Sequence, residues 1–277
     1  MQVVGTIFEI RALRQKFSDT VGFVPTMGYL HEGHLALVKQ ARMENATAIV
    51  SIYVNPTQFG LREDFGAYPR ELNRDLEMLR EEGVDIVFIP SDEEMYPLEF
   101  SSWVDVEKVT ERLEGTSRPG HFRGVATVVT KLFNIVQPTR AYFGQKDVQQ
   151  AVVVKRMVAD LNMGIEIVVV PTVRESDGLA MSSRNIYLSP KGRQTATILF
   201  KALTLAQQLR QGGEKDAGKI RRKMASLIQK EPLARIDYVS IADAETLEEL
   251  NLIDQPALAS LAVRIGKTRL IDNMLLE

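Results

Sequence analysis

Short apolar runs rich in β-branched residues alternate with amphipathic segments over the first two-thirds of the chain. Each run has the length of a strand, and the segments between them carry apolar residues at helical spacing. The run Ala48–Val54 has the composition of a strand covered on both faces. This alternation predicts an α/β arrangement, a parallel sheet with right-handed crossovers. The predicted strands are Val21–Pro25, Ala48–Val54, Asp85–Pro90, Arg140–Phe143 and Ile165–Val170, and the predicted helices are Leu35–Glu44, Pro69–Glu82, Gly124–Gln137 and Val148–Leu161.

The pattern changes after about Val173. Two helical patterns and three strand-like runs follow: Thr195–Gln211, Glu214–Lys230, Ile236–Ala242, Ala257–Ile265 and Thr268–Ile271. Helices followed by strands with short turns form an α+β pattern. We therefore predict two domains, a Rossmann-like parallel-sheet domain over residues 1–173 and a smaller C-terminal α+β domain over residues 174–277.

Composition narrows the class of protein. The 277 residues are 45% hydrophobic and 25% charged, which is typical of a soluble globular chain. A formal net charge of −2 gives no general attraction to nucleic acid or to an anionic membrane, so neither partner is expected. The absence of cysteine excludes disulfides, thiolate metal sites and a cysteine nucleophile. With no recognisable signal peptide or membrane-spanning run, we expect a cytoplasmic protein.

Two of the three histidines stand in the sequence His31-Glu32-Gly33-His34, between the first predicted strand and a helix. Gly33 permits close backbone approach, and a helix beginning near His34 offers unpaired N–H groups and the positive end of its dipole. Imidazole N–H groups placed there can donate hydrogen bonds to a polyphosphate and stabilise its charge in a transition state. Two alternatives remain open: the histidines could only cap the helix, or they could join His121 in a catalytic zinc site.

The segment Phe143–Asp147 places a lysine directly after a predicted strand. Ligands of open parallel sheets bind at such strand ends. Lys146 supplies a mobile positive charge suited to phosphate, and Asp147 could orient this lysine or cap the next helix. Taken alone, the sequence is more often that of an ordinary surface turn, and the phosphate-binding interpretation depends on its sharing the sheet edge with the histidine turn.

A second polar segment, Met181–Asn185, lies just past the first predicted domain. Its two hydroxyls and guanidinium, on Ser182, Ser183 and Arg184, form an anion grip of the kind that holds a leaving pyrophosphate. Gly178 upstream is predicted to give hinge freedom, so that the segment closes over a ligand. The alternative is a plain polar linker.

Carboxamides also occur where predicted strands and helices meet, at Gln58 and Gln150. Such amides could hold a small polyhydroxylated acid against apolar side chains, although apolar residues are core residues by default. No P-loop, GxGxxG, GxSxG or HExxH motif occurs, and no nucleophile for covalent catalysis is evident.

Six longer segments follow one another along the chain: PTMGYLHEGH from Pro25, VNPTQF from Val54, YPR from Tyr68, RPGHFRGVATVV from Arg118, FGQKDVQQ from Phe143 and PTVRESDGLAMSSRNIYL from Pro171. Together they resemble the pantoate–β-alanine ligase family, the pantothenate synthetases, within the HxGH nucleotidyltransferase superfamily. They extend over the first predicted domain and its junction with the second. Gln145, where many relatives carry Glu, and Thr57 within the NPxQ motif depart from the commonest pattern without replacing a proposed contact.

The resemblance implies a ligation in two steps. ATP and pantoate would give pantoyl adenylate and pyrophosphate, and the amine of β-alanine would then displace AMP to give pantothenate. The substrate carboxylate is the nucleophile, so catalysis would consist of alignment and charge stabilisation. The substrates implied are therefore ATP, pantoate and β-alanine, with Mg²⁺ as the metal ion, and the family also implies a homodimer.

The resemblance assigns roles residue by residue. The catalytic residues would be His31, His34, Lys146 and Arg184. The ATP-binding residues would be Pro25, Thr26, Met27, Gly33, His34, Gly144, Lys146, Asp147, Val173, Met181, Ser182, Ser183 and Arg184. The pantoate-binding residues would be Met27, Leu37, Gln58, Phe59, Val125, Val128, Val129 and Gln150. Asp75 falls where an acidic residue assists Mg²⁺, most of whose ligands would be phosphate and water oxygens.

Three other functions are weighed against the ligase. A zinc hydrolase would use all three histidines as metal ligands. Another HxGH nucleotidyltransferase would move a nucleotide onto a phosphate ester, but such an anionic acceptor should prefer cations to the amides of Gln58 and Gln150. A non-catalytic nucleotide-binding protein would have no use for so many phosphate-directed side chains.

Overall fold

The computed structural model describes residues 1–60, 63 and 65–276. The chain forms two compact units, the first comprising residues 1–144 and 149–171 and the second comprising residues 145–148 and 172–277. None of the helices in these ranges combines the length and apolar character that crossing a bilayer requires.

The first unit contains a six-stranded sheet in which all adjacent strands are parallel. Its strands are β1 (Gln2–Val4), β2 (Val21–Thr26), β3 (Thr47–Ile52), β4 (Ile86–Phe88), β5 (Arg140–Gly144) and β6 (Glu166–Val170). The helices along this part of the chain are α1 (Ile7–Arg14), α2 (Glu32–Glu44), α3 (Leu72–Glu81), α4 (Asp92–Met95), α5 (Glu114–Ser117), α6 (His121–Val136) and α7 (Val148–Asp160). The predicted α/β class is confirmed.

The strand order, β1-β4-β3-β2-β5-β6, reverses direction between β2 and β5. Ligands of open α/β sheets bind beyond the carboxyl ends of the strands at such a switch point. The pairing of β5 with β2 stops at Phe23, two residues before Pro25, whereas β3 stays paired with β2 as far as Thr26. Proline cannot donate to a strand ladder, so its place beyond the last β2–β5 pair agrees with its chemistry.

The β-branched composition of β3 explains its central position. All of its six residues are buried and pair in register with β2, and Ile49 to Ser51 also pair with β4 on the other side. By contrast β1 has only three residues, and two of them are exposed because the strand lies at the edge of the sheet. It therefore has no apolar run by which the sequence could predict it.

The second unit contains a three-stranded antiparallel sheet, β7 (Ala234–Asp243), β8 (Ala257–Ile265) and β9 (Thr268–Leu276). Three helices accompany it, α8 (Pro190–Ala196), α9 (Ile198–Gln211) and α10 (Ala217–Ile228). Leu203, Ile220 and Leu261 are fully buried members of the one apolar core that the helices and the sheet share.

Two element predictions in this unit were wrong in detail. The single helix predicted over Thr195–Gln211 is two helices that meet at Thr197, because Ser189 caps a separate helix with Pro190 at its start. The strand predicted to end at Ile271 continues to Leu276. The apolar pattern stops at Asp272 and Asn273, which are polar but nevertheless buried within the strand.

Candidate active site

The turn after β2 is held in an unusual backbone conformation by a distant carboxylate. Gly28 and Tyr29 both have positive φ, at 77° and 51°. The backbone N–H of Tyr29 donates to Oδ2 of Asp75 at 2.7 Å, and that of Leu30 donates to Oδ1 at 2.8 Å. Burial raises the pKa of the Asp75 carboxyl, although the two N–H donors act in the opposite direction. Asp75 therefore fixes the turn that leads into His31.

His31 and His34 form a capping box at the start of α2. The Nδ1 atom of His31 accepts the N–H of Gly33 at 3.1 Å, and Nδ1 of His34 accepts the N–H of His31 at 3.3 Å. The ring centroids lie 4.1 Å apart. Because both Nδ1 atoms accept, each neutral ring carries its hydrogen on Nε2. The helix N-terminus thus presents two Nε2–H donors without requiring either ring to be charged.

The segment after β3 brings predicted pantoate-binding residues together. Asn55 is buried and caps the short turn Pro56–Gln58. Its amide donates to Oε1 of Gln58 at 3.1 Å, and Nε2 of Gln58 lies 3.1 Å from the sulfur of Met27. Gly124 lets α6 approach this turn closely, since a Cβ there would lie 2.4 Å from the carbonyl oxygen of Thr57.

His121 supports the same turn from α6. Its Nδ1 lies 2.8 Å from the carbonyl oxygen of Gln58, and its Nε2 lies 3.0 Å from Nη1 of Arg118. Arg118 is a donor only, so Nε2 must accept and Nδ1–H must donate. Arg118 is also paired with Glu63 at 2.6 Å. Burial, and next the charge of Arg118, lower the pKa of His121 to about 4, so the ring is neutral near pH 7.

This geometry does not form the zinc site considered for the three histidines. Both ring nitrogens of His121 are engaged by Gln58 and Arg118. Within residues 1–60, 63 and 65–276, no group of three His, Cys, Asp or Glu side chains is arranged to hold a metal ion. His121 is instead a neutral residue that supports the backbone of Gln58.

Two adjacent glutamines at the start of α7 have different environments. Gln149 is buried, and its amide donates to the carbonyl oxygens of Val109 and Arg112 at 2.8 Å while accepting the N–H of Glu114 at 2.9 Å. Gln150 is half-buried, and its side chain makes no hydrogen bond within the described part of the chain. Of the two amides, that of Gln150 is therefore the one available to a ligand.

The predicted apolar wall residues lie on two helices and one turn. Val125, Val128 and Val129 occupy α6 and are at most 5% exposed. Leu37 is 7% exposed and belongs to the core cluster between α2 and the sheet. Phe59 is half-buried, with its ring centroid 5.8 Å from that of Tyr68. Their contact with pantoate stays a prediction.

The residues predicted to bind phosphate through charge or hydroxyl groups, apart from the histidines, belong to the second unit. Lys146 and Asp147 lie in a short turn over Gln145–Asp147, with Nζ of Lys146 3.8 Å from Oδ1 of Asp147. Ser182 caps the turn Ser183–Tyr187, where its Oγ accepts the N–H of Arg184 at 3.3 Å. Ser183 is buried, and Arg184 is half-buried. The unit thus orders both segments that were expected to bind phosphate.

Gly178 has a structural reason to be glycine, and its predicted role as a hinge stays a prediction. Gly178 is buried with φ of 90°, and a Cβ there would overlap the ring of Phe200 at 2.1 Å. Its carbonyl oxygen also accepts a hydrogen bond from Arg174 at 3.1 Å. Close packing and a left-handed turn therefore require glycine at this position.

Comparison with known proteins decides the family. The sequence profile described as pantoate–β-alanine ligase matches residues 2–275. The chain belongs to this ligase family. Pantothenate synthetases of Herpetosiphon aurantiacus and Roseiflexus castenholzii are 61% and 59% identical to it, each over all of both chains. The Thermus thermophilus pantothenate synthetase structure superimposes with a TM-score of 0.95 at 50% identity, covering 99% of each chain.

A more distant member of the pantoate–β-alanine ligase family has been solved with ligands. The Francisella tularensis ligase, in complex with β,γ-ATP and β-alanine, is 36% identical, with a TM-score of 0.82 over 99% of this chain and 97% of that one. Pantoate–β-alanine ligases condense pantoate with β-alanine to pantothenate, and the chain is an enzyme of this ligase class.

The sequence did not reveal the supporting roles of Asp75 and His121 at this candidate site. Asp75 accepts the N–H groups of Leu30 and Tyr29, which lie 45 and 46 positions away in the sequence. His121 was considered only as a metal ligand, and its contact with the Gln58 carbonyl spans 63 positions. A local motif reports neighbours along the chain, so only the folded structure reveals such supports.

Proposed function

We propose that this chain makes pantothenate in two steps. The carboxylate oxygen of pantoate attacks the α-phosphorus of ATP, the bond to the β-phosphate breaks, and pyrophosphate leaves. The amine of β-alanine then attacks the acyl carbon of pantoyl adenylate, AMP leaves with the electrons of the broken bond, and the new amide loses its extra proton. No covalent bond to the enzyme is needed in either step.

The observation that carries this proposal is the histidine pair at the start of α2. Two Nε2–H donors stand at a helix N-terminus after β2, beside the switch point of the sheet. Donors fixed before the reaction stabilise charge that grows on phosphate oxygens, because they need no reorganisation. His31 and His34 therefore act on the ATP phosphates during adenylation.

Pantoate is held by the amides of Gln58 and Gln150 in this proposal. The Asn55 amide and the His121 ring fix the side chain and the backbone of Gln58, respectively. Apolar residues would contact the gem-dimethyl group of the substrate, namely Met27, Leu37, Phe59, Val125, Val128 and Val129. Oriented amides suit the hydroxyl and carboxylate groups of pantoate, whereas a phosphate-ester acceptor would call for cations.

ATP binding in this proposal uses charged, hydroxyl and main-chain groups named from the family motifs. Lys146 and Arg184 supply positive charge, and the hydroxyls of Ser182 and Ser183 hold the β- and γ-phosphates. The other nucleotide contacts are Pro25, Thr26, Met27, Gly33, Gly144, Asp147, Val173 and Met181. We assign ATP and pantoate binding to residues 1–173 and the function of a lid to residues 174–277.

We propose that Mg²⁺ enters with ATP and is coordinated by phosphate and water oxygens. Both oxygens of Asp75 already accept backbone N–H groups, and the residue is 1% exposed. Direct coordination would require the turn before His31 to open. Asp75 thus fits the role of a support for the turn better than that of a metal ligand.

We propose a cytoplasmic homodimer. In the sheet of the first unit β6 is an edge strand, and Ile167 to Val170 are only partly buried. Beside it lies a groove of about 460 Å³ lined mainly by apolar residues, including Val158, Met163 and Ile167. An apolar strand edge is a ready surface for a second copy. Sedimentation that finds only monomer at micromolar concentration would contradict the dimer.

The reaction itself is tested with the purified protein, Mg-ATP and pantoate, with and without β-alanine. We expect pyrophosphate release that depends on pantoate, with free AMP and pantothenate accumulating only when β-alanine is present. Omission of pantoate is the control. No pantoate-dependent turnover would overturn the proposal and direct the search to other acceptors.

A further inference from the structure

The side chain of a buried asparagine in β9 donates hydrogen bonds to two successive main-chain carbonyl groups, those of Gln145 and Lys146. Asn273 is 3% exposed. Its Nδ2 donates to the carbonyl oxygen of Gln145 at 2.8 Å and to that of Lys146 at 3.0 Å. The two bonds span 128 and 127 positions of sequence. They attach residues 145–148 to the second unit, to which this segment belongs.

The anchor is itself held rigidly. The N–H of Asn273 donates to Oδ1 of Asp272 at 2.8 Å, and Asp272 forms two hydrogen bonds with Arg174, at 2.6 and 3.0 Å. The Asp272 carboxylate is 1% exposed, so this is a buried pair of fixed geometry. The guanidinium of Arg174 also lies 4.5 Å from the ring centroid of Phe200.

The same network reaches the segment that carries the serines and arginine. Arg174 donates to the carbonyl oxygen of Gly178 and forms an isolated β-bridge with Ala180. The Asn185 amide donates to the carbonyl oxygen of Ala180 at 3.1 Å and to Oε1 of Glu175 at 3.2 Å. The turn that contains Lys146 and the turn at Ser182–Arg184 are therefore both linked by hydrogen bonds to the network around Asp272 and Arg174.

Only a side chain with two amide hydrogens fits this arrangement. An aspartate at the same position would place a carboxylate oxygen against two carbonyl oxygens. The Oδ1 atom of Asn273 is buried and has no hydrogen-bond partner in the described residues. A buried oxygen left unpaired is unfavourable. The amide nevertheless keeps this orientation, because its two hydrogens are both donated to carbonyl oxygens.

We propose that Asn273 is a positioning residue for Lys146. It fixes the backbone that carries the lysine, and through Asp272 and Arg174 it joins this backbone to the Ser182–Arg184 turn in one rigid body. Any displacement of the second unit then carries both phosphate-binding segments together. The proposal rests on the proposed role of Lys146, and its test separates the two.

The first measurement is hydrogen exchange of the full-length protein without substrates. In Asn273→Ala and the milder Asn273→Ser, we expect faster exchange in peptides that cover 145–148, whereas peptides from β8 keep their rates. Asn251→Ala is the matched control, because Asn251 is exposed in the same unit. Unchanged exchange at 145–148 in both Asn273 variants would overturn the anchoring whatever the activity.

The second measurement is a double-mutant cycle on pantoate-dependent pyrophosphate release. We expect Asn273→Ala to slow this step by up to about 10²-fold, since displacement of a catalytic group by 1 Å has an effect of that size. In the Lys146→Ala background the same change should have almost no further effect. An equal loss in both backgrounds would show that Asn273 does not act through Lys146, and would overturn the proposal.

Normal adenylation by Lys146→Ala alone would instead refute the proposed role of the lysine. The exchange result would still show whether Asn273 anchors the segment, so the failure of one hypothesis can be told from the failure of the other.

Discussion

The backbone N–H of His31 donates to Nδ1 of His34 across 3.3 Å. This bond, with the one that His31 accepts from Gly33, leaves Nε2 as the nitrogen of each neutral ring that carries the hydrogen. Capping of the helix and binding of phosphate are thus not competing explanations of the two histidines. The cap selects the tautomer that can donate to an anion.

Replacement of His34 should separate these two functions. His34→Ala should lower the rate of pantoyl adenylate formation by roughly 10²–10³, the loss typical of one fixed charge-stabilising donor. His34→Gln should lose as much activity but keep the cap, because a glutamine at the third helical position completes a capping box. Pyrophosphate release and thermal unfolding measure the two effects. Normal adenylation in either variant would refute the assigned role.

The two neighbouring glutamines of α7 should respond differently to truncation. Gln150→Ala should weaken pantoate binding by roughly 2- to 15-fold, corresponding to a lost hydrogen bond of about 0.5–1.5 kcal/mol, and leave stability unchanged. Gln149→Ala should lower the free energy of unfolding instead, since it leaves buried carbonyl oxygens unpaired. Pantoate titration and chemical denaturation provide the two readouts. Unchanged pantoate affinity in Gln150→Ala would remove this residue from the site.

The state of His121 predicts how stability depends on pH. Its pKa is about 4 in the folded protein, below the ordinary value of 6.5, because of burial and the neighbouring Arg118, against which Glu63 and Glu114 act weakly. Between these values the unfolded chain binds a proton that the folded protein does not, so stability falls as the pH is lowered from about 6.5 to 4. The full contribution of His121 to this change in the free energy of unfolding is on the order of 3 kcal/mol.

His121→Asn tests this prediction. The Asn amide can replace the Nδ1–H donor to Gln58 but does not titrate. Denaturant unfolding between pH 4 and 7 should show a flatter dependence in the variant than in the original protein. Parallel curves would mean that His121 is not responsible for the loss of stability.

Asp75→Asn should distinguish a support for the turn from a metal ligand. An amide can accept only one of the two N–H groups of Tyr29 and Leu30 through its oxygen, so we expect a loss of about 1–3 kcal/mol in stability. Adenylation should slow, because the turn sets His31. The Mg²⁺ concentration for half-maximal rate should stay the same, and a clear increase would instead assign Asp75 to the ion.

The sequence sufficed for the parts of the fold that local patterns specify. The apolar run around Ile49 identified a buried strand, and Gly33 between two histidines identified a strand–helix turn. The pattern failed where long-range contacts decide: β1 is short and exposed, and β9 continues through buried Asp272 and Asn273. The packing reason for glycine at position 178 was not visible in the sequence either, because it comes from the ring of Phe200, 22 positions away.

The supports of the site were hidden for the same reason. Asp75, His121 and Asn273 each bind main-chain groups at least 45 positions away, and main-chain atoms leave no residue-type signature. Motifs named the residues that we propose to bind the substrates, but they did not reveal that Asp75, His121 and Asn273 support distant main-chain groups.

The second unit combines residues 145–148 with residues that begin at 172. This separation along the chain determines when its contacts can form during translation. Gln145 and its partner Asn273 are 128 positions apart, so at about 5–20 residues per second the ribosome needs roughly 6–26 s to reach the asparagine. Strands β1 to β5 are made before this interval and β6 early within it, whereas the backbone at Lys146 waits for Asn273 throughout. If Asn273 anchors this backbone as proposed, Lys146 gains its fixed position only when β9 emerges, long after its own translation.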